Sequence, residues 1–96
     1  MTCQRVAEFI GVLANPYRVG ILCCLSDQER SVGEIARIVD LPPAHVSAHL
    51  RVLYDRGYLE RRREWKQVFY ALRDPAIQAL LDGAAGLVSG RPSRPL

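Results

Sequence analysis

The stretch Ser31–Leu72, SVGEIARIVDLPPAHVSAHLRVLYDRGYLERRREWKQVFYAL, decides the fold, because its apolar residues change from helical spacing to strand alternation partway along. It opens on Ser31, Val32, Gly33 and Glu34, a capping box in which each polar side chain can satisfy the other residue's backbone donor. Val32, Ile35, Ala36 and Val39 supply one apolar face behind it, which predicts a short helix. Asp40, Leu41 and Pro42 must turn: the residue before a proline is driven out of helical space, and proline cannot continue the bonding ladder. Pro43 restarts a helix at its first position, with Val46, Leu50 and Leu53 facing the core and Gly57 available as a left-handed cap. A short helix, a tight turn and a longer helix ending in Gly outline a helix-turn-helix.

From Tyr58 the period becomes two. Tyr58–Arg63 and Gln67–Leu72 are rich in aromatic and β-branched residues, Val68, Tyr70 and Leu72 alternate onto one face, and Glu64, Trp65 and Lys66 form a charged tip. Asp74 and Pro75 then act as N-cap and first helical residue of a last helix with Ile77, Leu80, Leu81, Ala84 and Val88 on one stripe. Upstream, Val6, Phe9, Ile10 and Leu13 form a first helix that ends near Ala14, and Asn15 with Pro16 launches a second to about Leu25. The expected fold is mainly α with a β-hairpin: a winged helix-turn-helix at residues 1–90, with an extra helix at each end and a flexible tail at 91–96. The compact centre cannot cover both terminal stripes, so a homodimer through the first and last helices is expected.

Length and composition agree. The chain has 96 residues, 49% hydrophobic and 24% charged, with no long apolar run and no charged-then-apolar leader, which predicts one soluble cytoplasmic domain with no membrane partner. A monomer of this size buries only about 60–65% of the surface its unfolded chain exposes, a second argument for association. The net charge of +3 is unevenly spread: residues 1–42 hold four Arg against five acids, whereas residues 43–72 hold five Arg and one Lys against three. The basic excess therefore lies on the second helix of the motif and the hairpin, where a polyanion would dock. Three Cys without a CxxC argue against a disulfide scaffold, a zinc ribbon or a thioredoxin-type pair.

A helix N-terminus offers amides to phosphate and side chains to base edges in the major groove of double-stranded DNA. The residues expected to be exposed there are Ala44, His45, Ser47, Ala48 and Arg51, with Arg51 able to grip guanine or a phosphate. Arg61, Arg62, Arg63 and Lys66 suit a wing laid along the backbone or into the minor groove. Trp65 either packs on the sugar-phosphate edge or covers its own hairpin. His45 and His49 stand four apart, but HVSAH lacks the glutamate of HExxH and has no evident third ligand. His49 reads instead as a hydrogen-bonded structural residue. No metal site, cofactor or catalytic constellation is expected, and the chain reads as a non-enzyme.

The runs ANPYRVGILCCL and SVGEIARIVDLPPAHVSAHLRVLYDRGYLERRREWKQVFYAL resemble the bacterial ArsR/SmtB repressors, most strongly from Asn15 to Leu72. Within that family, ILC followed by SVGEI, with RRE at the wing, is similar to the persulfide-sensing SqrR/BigR group. The resemblance implies a homodimeric repressor on a palindromic operator that leaves it when a small inorganic inducer reacts or binds. Two departures stand out. Pro42, Pro43, Ala44 and His45 occupy positions where relatives carry Ser and Gln types, so operator sequence does not transfer. Ser31 and Gly33 stand where arsenic and cadmium sensors place cysteines, and the last helix keeps Asp74 without the histidines of the zinc sites.

Cys23 and Cys24 fall roughly 150° and 110° from the core stripe of Arg18, Ile21, Leu22 and Leu25 on an ideal helix. By the resemblance, Cys23 matches the first sensor cysteine, and the second aligns with Ser89, which cannot form a sulfur bridge. Three readings stay open: a thiol switch through Cys23 or through Cys3 or Cys24, an arsenite or soft-metal response using Cys3 with Cys23 or Cys24, and a non-sensing winged-helix interaction module.

Overall fold

The computed structural model describes residues 2–90; the tail expected at 91–96 lies outside them. The elements run α1 (Cys3–Leu13), α2 (Pro16–Cys24), β1 (Arg30–Ser31), α3 (Val32–Val39), α4 (Pro43–Asp55), β2 (Leu59–Glu64), β3 (Gln67–Leu72) and α5 (Ala76–Val88). Except at α4, a side-chain oxygen occupies orphan amides at each helix start. Asn15 Oδ1 accepts from Tyr17 and Arg18 N–H, and α2 leaves α1 at an angle of 86°. Both halves of the capping box form, Glu34 N–H donating to Ser31 Oγ at 3.2 Å and Ser31 N–H to Glu34 Oε1 at 2.8 Å. Asp40, at φ 58°, closes α3, and Gly57, at φ 85°, turns the chain out of α4 at a position where a Cβ would be strained. Asp74 Oδ1 accepts from Ala76 N–H at 2.9 Å, and α5 begins one residue later than expected, with Pro75 at the N-cap instead of the first helical position.

The core is built where the spacing places it. Ile21 and Leu22 of α2, Ile35 of α3, Val46, Leu50 and Leu53 of α4, and Leu59 of β2 are fully buried. Each such side chain contributes about 1.5–3 kcal/mol relative to exposure, which makes this cluster the main apolar contribution to the central motif. Phe9 of α1 meets Tyr58 edge-on, ring centroids 4.9 Å apart, fastening α1 to the start of the hairpin.

The sheet differs from the expectation in two ways. It has three strands in the order β1-β3-β2, all antiparallel, with Arg30 opposite Tyr70 and Ser31 opposite Phe69. A two-residue strand has no periodicity to read, and Ser31 serves at once as the end of β1 and the cap of α3. The hairpin tip is also tighter than the expected Glu64–Lys66. Glu64 still pairs with Gln67, which leaves Trp65 and Lys66 as the turn. Trp65 takes φ 59°, a left-handed conformation that a bulky side chain rarely adopts.

The terminal helices remain half-dressed. Ile10 is 54% exposed, Leu80 44%, Leu87 84% and Val88 87%, although Leu13 and Ile77 on the same helices are buried. No single described helix is long and apolar enough to cross a membrane.

Candidate nucleic-acid interface

Helix α4 divides cleanly. Val46, Leu50 and Leu53 enter the core, and Ala44, His45, Ser47, Ala48 and Arg51 are all exposed on the other side. Pro42 and Pro43 begin the helix without a side-chain cap and without an acidic residue in the first turn. Nothing in that turn therefore competes with an anion for the helix's positive end.

His49 sits between the two faces and takes the structural role expected of it. Arg18 Nε donates to its Nδ1 at 3.3 Å, while Arg18 Nη1 donates to the Val12 carbonyl at 3.0 Å. The Tyr17 ring lies alongside, centroids 6.0 Å apart. Accepting at Nδ1 requires a neutral ring there, and burial, then the charges of Arg18 and His45, hold the His49 pKa below its ordinary value. Helix α4 is thereby tied to the corner between α1 and α2.

The hairpin does not present its arginines equally. The Arg61 guanidinium carbon stands 3.9 Å from the Tyr54 ring centroid, a cation–π contact that lays it back on α4. Arg62 points to the opposite face of β2, where Glu29 and Glu64 hold it. Arg63 and Lys66 are exposed and, among the described residues, form no ion pair. Trp65 is 85% exposed, so it does not cover its own hairpin.

Between α3, α4 and the hairpin lies a cleft of about 560 Å³ lined by Arg37, Ser47, Lys66 and Gln67 among others. It brings the expected Ser47 and Lys66 onto one surface. Arg37 and Gln67 join them without having been singled out in the sequence. Only the packing of α3 against the sheet brings Arg37 to the same cleft as Ser47.

Known proteins share this fold. Residues 15–61 match the family model described as bacterial regulatory protein, arsR family. The biofilm growth-associated repressor of Agrobacterium fabrum is 36% identical over 78 residues, covering 81% of this chain and 67% of that protein. The chain belongs to the arsR family. Its similarity extends to the transcriptional activator HlyU of Vibrio cholerae, 37% identical over 81% of this chain and 72% of that one. The homodimeric winged helix-turn-helix DNA-binding domain Mb0332 of Mycobacterium bovis superposes with a TM-score of 0.79, at 28% identity over 93% of this chain and 82% of that one. These relatives are named as regulators, not enzymes, so the arsR-family chain is a transcriptional regulator with the winged fold expected of it.

The thiols of this arsR-family protein differ in environment. Cys3 and Cys23 are exposed, and Cys24 is half-buried with its Sγ–H donating to the Ile21 carbonyl at 3.1 Å. Burial pushes the Cys24 thiol pKa up, only partly opposed by Arg30, which keeps that sulfur protonated and a poor nucleophile. Ser89, at the end of α5, donates from its hydroxyl to the Gly86 carbonyl. Among the described residues, no three His, Cys, Asp or Glu come together as a metal site.

Proposed function

We propose that the protein is a homodimeric repressor of the cytoplasm that binds a palindromic operator and is released by a thiol-reactive inducer. The observation that carries the reading is the division of α4: its core face is fully satisfied, while Ala44, His45, Ser47, Ala48 and Arg51 stand together beside the cationic hairpin. In this reading the α4 residues enter the major groove, and Arg63 and Lys66 follow the backbone. Arg37 and Gln67 join Ser47 along the cleft as backbone contacts. The uncovered apolar residues of α1 and α5 face the second copy, and two-fold symmetry then sets half-sites about one helical turn, or a multiple of it, apart.

A selection for bound genomic fragments tests the DNA reading; recovery of no enriched sequence overturns it and leaves the interaction-module alternative. Within a recovered operator, Arg51→Ala should cost about 1–3 kcal/mol and relax preference at one base position. For the inducer, Cys23 is preferred to its neighbour Cys24 because it is exposed on α2, whereas burial pushes the Cys24 thiol pKa up; Cys3, exposed on α1, is the alternative thiol. Release from the operator by a polysulfide donor should be lost in Cys23→Ser. An equal response of the two proteins assigns sensing elsewhere.

A further inference from the structure

Arg62 lies in the middle of the wing, where a cation is expected to meet phosphate, yet each of its three guanidinium nitrogens already has a carboxylate partner, although the side chain is 46% exposed. Nε donates to Glu29 Oε2 at 3.2 Å, Nη2 donates to Glu29 Oε1, and Nη1 stands 3.2 Å from Glu64 Oε1. The guanidinium carbon lies 4.6 Å from the Phe69 ring centroid, so one of its faces is covered as well. All three nitrogens are committed to two carboxylates, and the cluster as a whole carries one negative charge. A single exposed ion pair contributes little, but a bidentate arginine with a second carboxylate and a ring beneath it has fixed geometry.

The partner that matters is Glu29, because it does not belong to the hairpin. It lies in the segment between α2 and β1, 33 residues before Arg62 in sequence. That segment is itself anchored: Arg30 Nε donates to the Cys24 carbonyl at 2.6 Å, and Arg30 pairs with Tyr70 of β3. We propose that Glu29 and Arg62 form a latch that fastens the wing to the segment following α2, so that Arg62 is a positioning residue and not a phosphate contact. The phosphate-facing charges of the wing are then Arg63 and Lys66. The latch rests on the DNA-binding reading only for the second of its two readouts.

The first readout needs no DNA. Trp65 is the sole tryptophan and sits at the wing tip, so its fluorescence anisotropy decay reports wing motion directly. Glu29→Gln and Arg62→Ala should each increase the fast-motion amplitude, the double variant should add nothing further, and Arg62→Lys, which keeps the charge but loses the fork, should behave like Arg62→Ala. The second readout is operator affinity against salt. Each single variant is expected to weaken binding about three- to tenfold with the salt slope unchanged.

Unaltered Trp65 motion in all variants overturns the latch. So does a slope that falls by about one in Arg62→Ala and recovers in Arg62→Lys, which would make Arg62 a phosphate contact. Tighter binding with a steeper slope in Glu29→Gln also overturns it, by showing that Glu29 merely competes with DNA. If the wild-type chain binds no DNA while Trp65 responds as expected, the functional reading fails and the latch stands.

Discussion

The centre of the molecule and its two ends obey different rules. In the centre, α3, α4 and the hairpin bury Ile35, Val46, Leu50, Leu53 and Leu59 completely, and every helix start there follows a local device. At the ends, α1 and α5 have the same kind of apolar stripe, yet Ile10, Leu80, Leu87 and Val88 remain in solvent. One chain thus encloses the core of its helix-turn-helix and wing and leaves the apolar stripes of its terminal helices partly in solvent. Local sequence patterns build the helix-turn-helix and wing; in the proposed dimer, the exposed apolar residues of α1 and α5 would be covered by the second copy.

Substitutions should separate the two regions. The largest effect belongs to the centre: Leu50→Ala empties a fully enclosed site and should cost about 2–5 kcal/mol in urea unfolding, with the helix content of the native state retained. Ile10→Asp probes the ends. It should leave the chain folded but shift it to monomer in sedimentation, with operator affinity falling about tenfold or more. A dimer as tight as wild type would place the interface elsewhere. Ser31→Ala returns to the centre and removes one half of the capping box, an expected loss of about 1 kcal/mol seen as a lower urea midpoint.

The smallest effect is at the seam between the regions. The folded His49 pKa lies below its ordinary 6.5, so on acidification the unfolded chain takes up the proton first. The stability this residue contributes is full above about pH 6.5 and is lost as pH falls from there through the lowered folded value. The urea midpoint should drop across that window, and His49→Asn should flatten the drop. An identical pH profile in the variant would detach His49 from it.

The legibility of the sequence follows the same division. The Asn15–Pro16 start, the Ser31/Glu34 box, the Pro43 restart and the Gly57 exit are each written within four residues and appear in the structure as read. The exposed side of α4 was equally legible, since it is what remains once Val46, Leu50 and Leu53 are assigned to the core. What escaped was whatever depends on distant partners. β1 is too short to carry a pattern, Arg37 reaches the cleft only because α3 packs on the sheet, and the partner of Arg62 stands far away in the chain. A run of three arginines reads as one basic patch, whereas the fold gives Arg61 to a tyrosine, Arg62 to two glutamates and leaves Arg63 to solvent.

The uncovered stripes of α1 and α5 also bear on how such a regulator would respond to its own supply. With a second copy completing those stripes, the amount of two-headed protein rises as the square of chain concentration for as long as most chains are separate. A modest fall in synthesis would then empty an operator more than proportionally, without any inducer. The leucine and valine side chains left in solvent would make abundance itself a second input to the switch.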